Sequence, residues 1–188
     1  NTIFQMNRGL QIYLQNKRKK ASEQNNTEEE WRPSAICISR NTFKRDSALK
    51  LLNWISYKYG FGTYLHLIDG YYSKKTNEQA QAELKRLLSN LDSSNQVYID
   101  TLISPSITSA ISQSIQTPGI SGMDNNMVIF EYLKSKPEND LHDIITNFRM
   151  VNAGGFDVCI LGTSRKPLLY KNGIHIWASR FDTNNTNL

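Results

Sequence analysis

Thr117-Pro118-Gly119-Ile120-Ser121-Gly122-Met123-Asp124-Asn125-Asn126-Met127-Val128-Ile129-Phe130 reads as a turn-rich entry into a buried strand. Gly119 and Gly122 permit backbone angles that other residues avoid, and Asn125-Asn126 tolerate the left-handed region. Met127 to Phe130 is a short unbroken apolar run, the pattern of a strand covered on both faces. Ahead of the loop, Ile107, Ala110, Ile111 and Ile115 recur at helical spacing. The order is therefore helix, glycine loop, strand. A phosphate-cradling loop runs the other way, so that free amides and the helix dipole meet the anion after the strand. Ligands of open α/β sheets gather outside the strands' carboxyl ends, and this strand leaves through Glu131-Tyr132-Leu133-Lys134, with no glycine. The stretch is read as a structural turn.

The same alternation runs through the chain. Ser34 to Ser39 is a first strand, followed by a helix with Leu49, Leu52 and Ile55 on one face and Tyr59-Gly60 at its end. Gly62 to Ile68 is a second strand with Asp69-Gly70 turning out of it, and residues 78–91 carry an apolar helical stripe of Ala80, Leu84, Leu87, Leu88 and Leu91. Val97 to Ile103 is a third strand, and Ser104-Pro105-Ser106 opens the next helix. After Met127 to Phe130, a helix carries Leu141, Ile144, Ile145, Phe148 and Val151, ending near Ala153-Gly154-Gly155. Asp157 to Leu161 and Ile174 to Trp177 supply a fifth and a sixth strand. Strands alternating with helices imply an α/β fold, a doubly wound, mostly parallel sheet with helices on both faces. Ahead of it, Ile3, Met6, Leu10 and Tyr13, with Leu14 beside them, mark an N-terminal amphipathic helix that needs a partner surface. The polar linker Ala21 to Glu30 follows, stopped by Trp31-Arg32-Pro33. The division is 1–30 helix and linker, 31–170 α/β domain, and 171–188 the start of a further unit.

The 188 residues carry 39% hydrophobic and 21% charged side chains, ordinary for one globular domain, and no apolar run is long enough to span a bilayer. The net charge of +5 is mild and concentrated in Lys17-Arg18-Lys19-Lys20, followed by Glu28-Glu29-Glu30. Nucleic-acid binding calls for a wide basic face, so no nucleic-acid partner is expected. The cluster reads as a solvated helix end, or as a juxtamembrane segment on the cytoplasmic side in weak contact with anionic lipid. Starting at Asn1 with no signal pattern, the chain is expected to be a piece of something larger. Cys37 and Cys159 each lie inside an apolar strand, as small hydrophobes in a reducing cytosol, where the sequons at Asn25 and Asn184 carry no meaning.

No constellation for chemistry emerges. His66, His142 and His175 are far apart, without ligand spacing. Asp69 and Asp100 lie near strand ends, where turn aspartates are common. Ser104, Ser106 and Ser121 have no base nearby in sequence, and no phosphate-loop, zinc or nucleophile-elbow motif occurs. No catalytic, cofactor-binding or metal-binding residue is assigned.

Set out in order, the pieces resemble the cytoplasmic C-terminal domain of the cation–chloride cotransporter family, within the amino acid–polyamine–organocation transporters. Trp31-Arg32-Pro33 before an apolar strand resembles that family's entry into its first strand, and Arg45-Asp46-Ser47-Ala48-Leu49 resembles the opening of its next helix. Gly119-Ile120-Ser121-Gly122-Met123 with Asn126 resembles the segment ahead of its fourth strand. Ile174-His175-Ile176-Trp177 with Asp182 resembles the strand opening its second half. The resemblance covers about residues 31 to 182 and points to a prokaryotic or compact member. It implies a fold similar to universal stress proteins and a non-enzymatic role in regulation and assembly of a secondary transporter. It also implies attachment to a transmembrane domain of the same polypeptide, a homodimer, and a place at the cytoplasmic face of the cell membrane. The alternative is a nucleotide-binding stress-protein-like domain, for which Gly162-Thr163-Ser164 after the fifth strand is the one candidate phosphate loop.

Overall fold

The computed structural model describes residues 2–23, 32–58, 60–117, 119 and 124–164. Five strands, β1 (Ser34–Ser39), β2 (Phe61–Asp69), β3 (Tyr98–Ser104), β4 (Met127–Leu133) and β5 (Asp157–Thr163), form one sheet in the order β3-β2-β1-β4-β5. All four pairings are parallel. The chain winds outward from β1 to β3, then crosses back to lay β4 against the other side of β1. This is the doubly wound α/β arrangement, with the strand order of stress-protein-like domains. The sixth strand, Ile174–Trp177, and the unit from 171 onward lie outside the described residues.

Side-chain alternation sorts the helices. Ala35 and Cys37 of β1, Tyr64 of β2, Ile99 of β3 and Ile129 of β4 face one way, and pack with Ala48 and Leu52 of α2 (Ser47–Ser56) and Leu87 of α3 (Lys74–Ser89). Ile36, Val128 and Phe130 face the other way, against Ile111 of α4 (Ile107–Gln116) and Ile144 and Val151 of α5 (Glu138–Ala153). Cys37 and Cys159 are free thiols on the first of these faces, and burial pushes both up from the ordinary thiol range. α3 starts at Lys74, earlier than its apolar stripe suggests, because Ser73 and Thr76 exchange side-chain and backbone bonds in a capping box. Gly70, with φ of +142°, makes the turn out of β2.

The loop ahead of β4 does its work differently from the expectation. No non-glycine residue among those described has positive φ, so Asn125 and Asn126 are not there for left-handed backbone. Asn126 is a stitch. Its Oδ1 accepts from the Ser34 amide at 2.8 Å and its Nδ2 donates to the Arg32 carbonyl at 2.6 Å. Its backbone donates to Ser34 O and accepts from Asp157 N, so one residue joins the amino ends of β1, β4 and β5. Residues 120–123 of the glycine loop lie outside the described residues.

The amphipathic helix exists as α1 (Thr2–Glu23). The side chains of Ile3, Met6, Leu10 and Tyr13 stand exposed.

Candidate functional site at the β1–β4 crevice

Because α2 leaves β1 over one face and α5 leaves β4 over the other, the carboxyl ends of β1 and β4 part. That point is the topological switch where doubly wound sheets hold ligands. A crevice of about 230 Å³ opens there, floored by Ile38 and Phe130 and walled by Arg40, Arg45, Asp143 and Ile144. Sites for drug-sized ligands run from roughly 300 to 1,000 Å³. The crevice falls short of that range, and both of its arginines are already paired with carboxylates.

Arg40 Nε lies 2.9 Å from both carboxylate oxygens of Asp69, and its Nη1 lies 3.1 Å from Asp143 Oδ2. Arg45 Nη1 meets Asp140 Oδ2 at 2.8 Å, with both side chains largely covered. Asp140 also accepts from the Leu133 amide at 3.2 Å, which fastens the end of β4 to the first turn of α5. A carboxylate in that turn is favoured by the unpaired amides and the helix dipole.

Glu131 does not stand where the apolar run places it. It is not at the strand exit; β4 continues to Leu133, and both Glu131 carboxylate oxygens are enclosed, close enough to the Ala48 amide to feel it but without a well-formed hydrogen bond. Burial pushes its pKa up, Arg45 and the Ala48 amide in the first turn of α2 oppose this, and Asp140 and Asp46 add to it. Asp46, just ahead of α2, makes no side-chain cap and pairs with Lys50 instead. The amino end of α2 is thus occupied by the chain's own carboxylate. A phosphate arriving there would meet the Asp140 carboxylate as a like charge, with the Glu131 carboxyl group already in the space.

Beside the crevice, the loop from β1 to α2 is clamped to β2 and α3. Thr42 Oγ1 lies 2.7 Å from Nδ1 of the buried His66, whose Nε2 bonds the Glu83 carboxylate. Phe43 meets the His66 ring edge-on at 5.3 Å between centroids, and the Arg86 guanidinium sits 4.1 Å over Phe43. Burial works to raise the Glu83 pKa, but Gln79 and His66 outweigh it and hold the carboxyl below its usual value. Hydroxyl, imidazole and carboxylate stand in the order of a hydrolase relay. Here each group spans a different element, and the aromatic ring of Phe43 closes over the imidazole.

The other candidates have structural employment. Asp100 accepts from the Tyr98 hydroxyl at 3.0 Å and from the Thr101 amide at 2.7 Å. Ser104 donates to Ser106 O, and the Ser106 hydroxyl caps α4 through the Ser109 amide. His142 is exposed, while His175 and Ser121 lie outside the described residues. Gly162 is packed, since a Cβ there would meet the Tyr132 hydroxyl at 2.8 Å and Lys134 Cε at 2.9 Å. Thr163 Oγ1 donates to Tyr132 O at 3.1 Å. Among the described residues, no three His, Cys, Asp or Glu side chains gather as a metal-binding group, and no helix is long and apolar enough to cross a membrane.

Neither a protein-family model nor a curated protein matches this sequence.

Proposed function

We propose that this chain is a non-enzymatic regulatory and assembly domain of a secondary transporter resembling the sodium–potassium–chloride cotransporters. In this reading it lies at the cytoplasmic face of the membrane, continues from a transmembrane domain of the same polypeptide, and pairs as a homodimer. The observation that carries the reading is the β1–β4 crevice. Where such a sheet holds a small ligand, this one places Arg40 between Asp69 and Asp143, Arg45 on Asp140, and Glu131 at the start of α2. Three positions of the family resemblance have structural tasks that suit a rigid scaffold. Arg45 pairs with Asp140 in the crevice wall, Ala48 is buried in the first turn of α2, and Asn126 ties β1 to β4.

Calorimetry with ATP, ADP and AMP, paired with light scattering over a wide concentration range, tests it. The expected result is no nucleotide heat and a mass that rises toward two chains. Micromolar nucleotide binding lost in Arg45→Met would replace this reading with the nucleotide-binding one. A strictly monomeric mass up to about millimolar concentration removes the assembly half, since tethering raises effective concentration only into that range.

A further inference from the structure

We infer that α1 is a membrane-surface helix whose partner is an anionic lipid bilayer. The inference stands apart from the transporter reading. Ile3, Met6, Leu10 and Tyr13 are 77%, 70%, 55% and 64% exposed. At helical spacing they form one stripe, and an uncovered stripe of large apolar side chains marks an interaction surface. Charge complementarity selects the occupant. Between Thr2 and Glu23 the helix carries Arg8, Lys17, Arg18, Lys19 and Lys20 against the single acid Glu23. A basic helix with an apolar stripe lies in the headgroup region, stripe toward the acyl chains and charges toward phosphate.

A second copy of the chain fits less well. The spacing of positions 3, 6, 10 and 13 continues at 17 and 20, and both are lysines. Self-pairing along this seam would run out of apolar contacts after two heptads and then set lysine near lysine, whereas a coiled coil needs roughly three to four heptads. A bilayer tolerates the same sequence, because lysine stems run along apolar surface while their ammonium groups reach the phosphates. A nucleic acid would take the charges and leave the stripe uncovered.

The test is cosedimentation of the 188-residue protein with vesicles of phosphatidylcholine alone, or with about one-third phosphatidylserine, at about 0.1 M salt. Binding is expected to the anionic vesicles alone. Lys17→Gln with Lys20→Gln should weaken it roughly 30-fold, about fivefold per charge, the equivalent of ~1 kcal/mol each. Leu10→Asp should abolish it with unchanged thermal melting, since Leu10 is exposed. Absence of binding to anionic vesicles, equal binding to neutral ones, or binding that survives Leu10→Asp overturns the inference. So does a dimer that Leu10→Asp dissociates while wild type ignores vesicles, which would assign the stripe to a second copy.

Discussion

Replacing Arg45 by Met removes the guanidinium and keeps most of the stem's packing. The lost ion pair is short, at 2.8 Å, and its side chains are only 13% and 16% exposed. Breaking such a buried pair from one side costs about 3–5 kcal/mol, because the remaining charge stays uncompensated. The residual solvent access puts this case near the lower end, ~3 kcal/mol, or about 10 °C in Tm for a chain of this size. The cost should depend on pH, with a sign fixed by Glu131. Its folded pKa already lies above the unfolded value of 4.5, and Arg45 is what opposes the rise. Without Arg45 the folded state holds that proton to still higher pH, so the folded state binds more protons than the unfolded one. Stability then falls as pH rises through the folded pKa, and the deficit of Arg45→Met is largest near neutrality and narrows toward 4.5. Arg40→Met is the control. Its partners Asp69 and Asp143 are 54% and 44% exposed, and such pairs contribute under about 1 kcal/mol. Urea unfolding followed by far-UV circular dichroism at several pH values reads both variants. A cost for Arg45→Met within about 0.5 kcal/mol of that for Arg40→Met, or one that does not change with pH, would refute the role given to the buried charges.

Three further outcomes follow from the same geometry. Glu131→Gln removes a carboxyl whose folded pKa is raised by burial, so the loss of stability that wild type shows above pH 4.5 should be absent from the variant. The difference between their urea midpoints across acid to neutral pH measures it, and parallel profiles would count against an enclosed, titrating Glu131. Asn126→Ala removes the side-chain bonds to the Ser34 amide and the Arg32 carbonyl and should cost about 3 kcal/mol. Hydrogen exchange should locate the loss at the start of β1, and unchanged protection of the Ser34 amide would contradict the stitch. Gly60→Ala would drive a Cβ to 2.6 Å from the Ile55 carbonyl oxygen and 2.9 Å from that of Pro33. Both obstacles are backbone, so a cost of about 3 kcal/mol is expected, and a Tm within 2–3 °C of wild type would mean that the entry to β2 relaxes.

What the sequence made legible was local. Apolar runs marked the five described strands, and helical spacing placed α2 to α5, since both patterns come from the repeat of the backbone itself. Asn126 shows where that kind of reading stops. An asparagine beside glycines is a turn signal by type, yet its contribution here is two hydrogen bonds to Arg32 and Ser34, more than ninety positions earlier. Arg45 and Asp140 are similarly remote in sequence, and neither has a local signature of its partner.

Glu131 carries the point furthest. The apolar run ahead of it stops at Phe130, and by itself that pattern marks the end of the strand. Strand length is decided by the neighbour, however, and β5 pairs with β4 through Glu131, Tyr132 and Leu133 against Leu161, Gly162 and Thr163. The run stops because of what lies beside it in the sheet. On β1 and β2, Ser39 pairs with His66, and His66 pairs with Thr101 of β3. Two positions beyond the Cys37–Ile129 pair, the same register sets Glu131 level with Ser39. The next row on that face is therefore Glu131, Ser39, His66 and Thr101, a polar row, and beyond it β2 and β3 return to apolar side chains in Ile68 and Ile103. The row behind it is Ile129, Cys37, Tyr64 and Ile99, which is core. Four strands place polar residues at one level, and no single strand announces it. The break in hydrophobicity at Phe130 is one end of a polar row that the fold assembles from β1, β2, β3 and β4 together, and Glu131 and Ser39 of that row line the crevice on which the functional proposal rests.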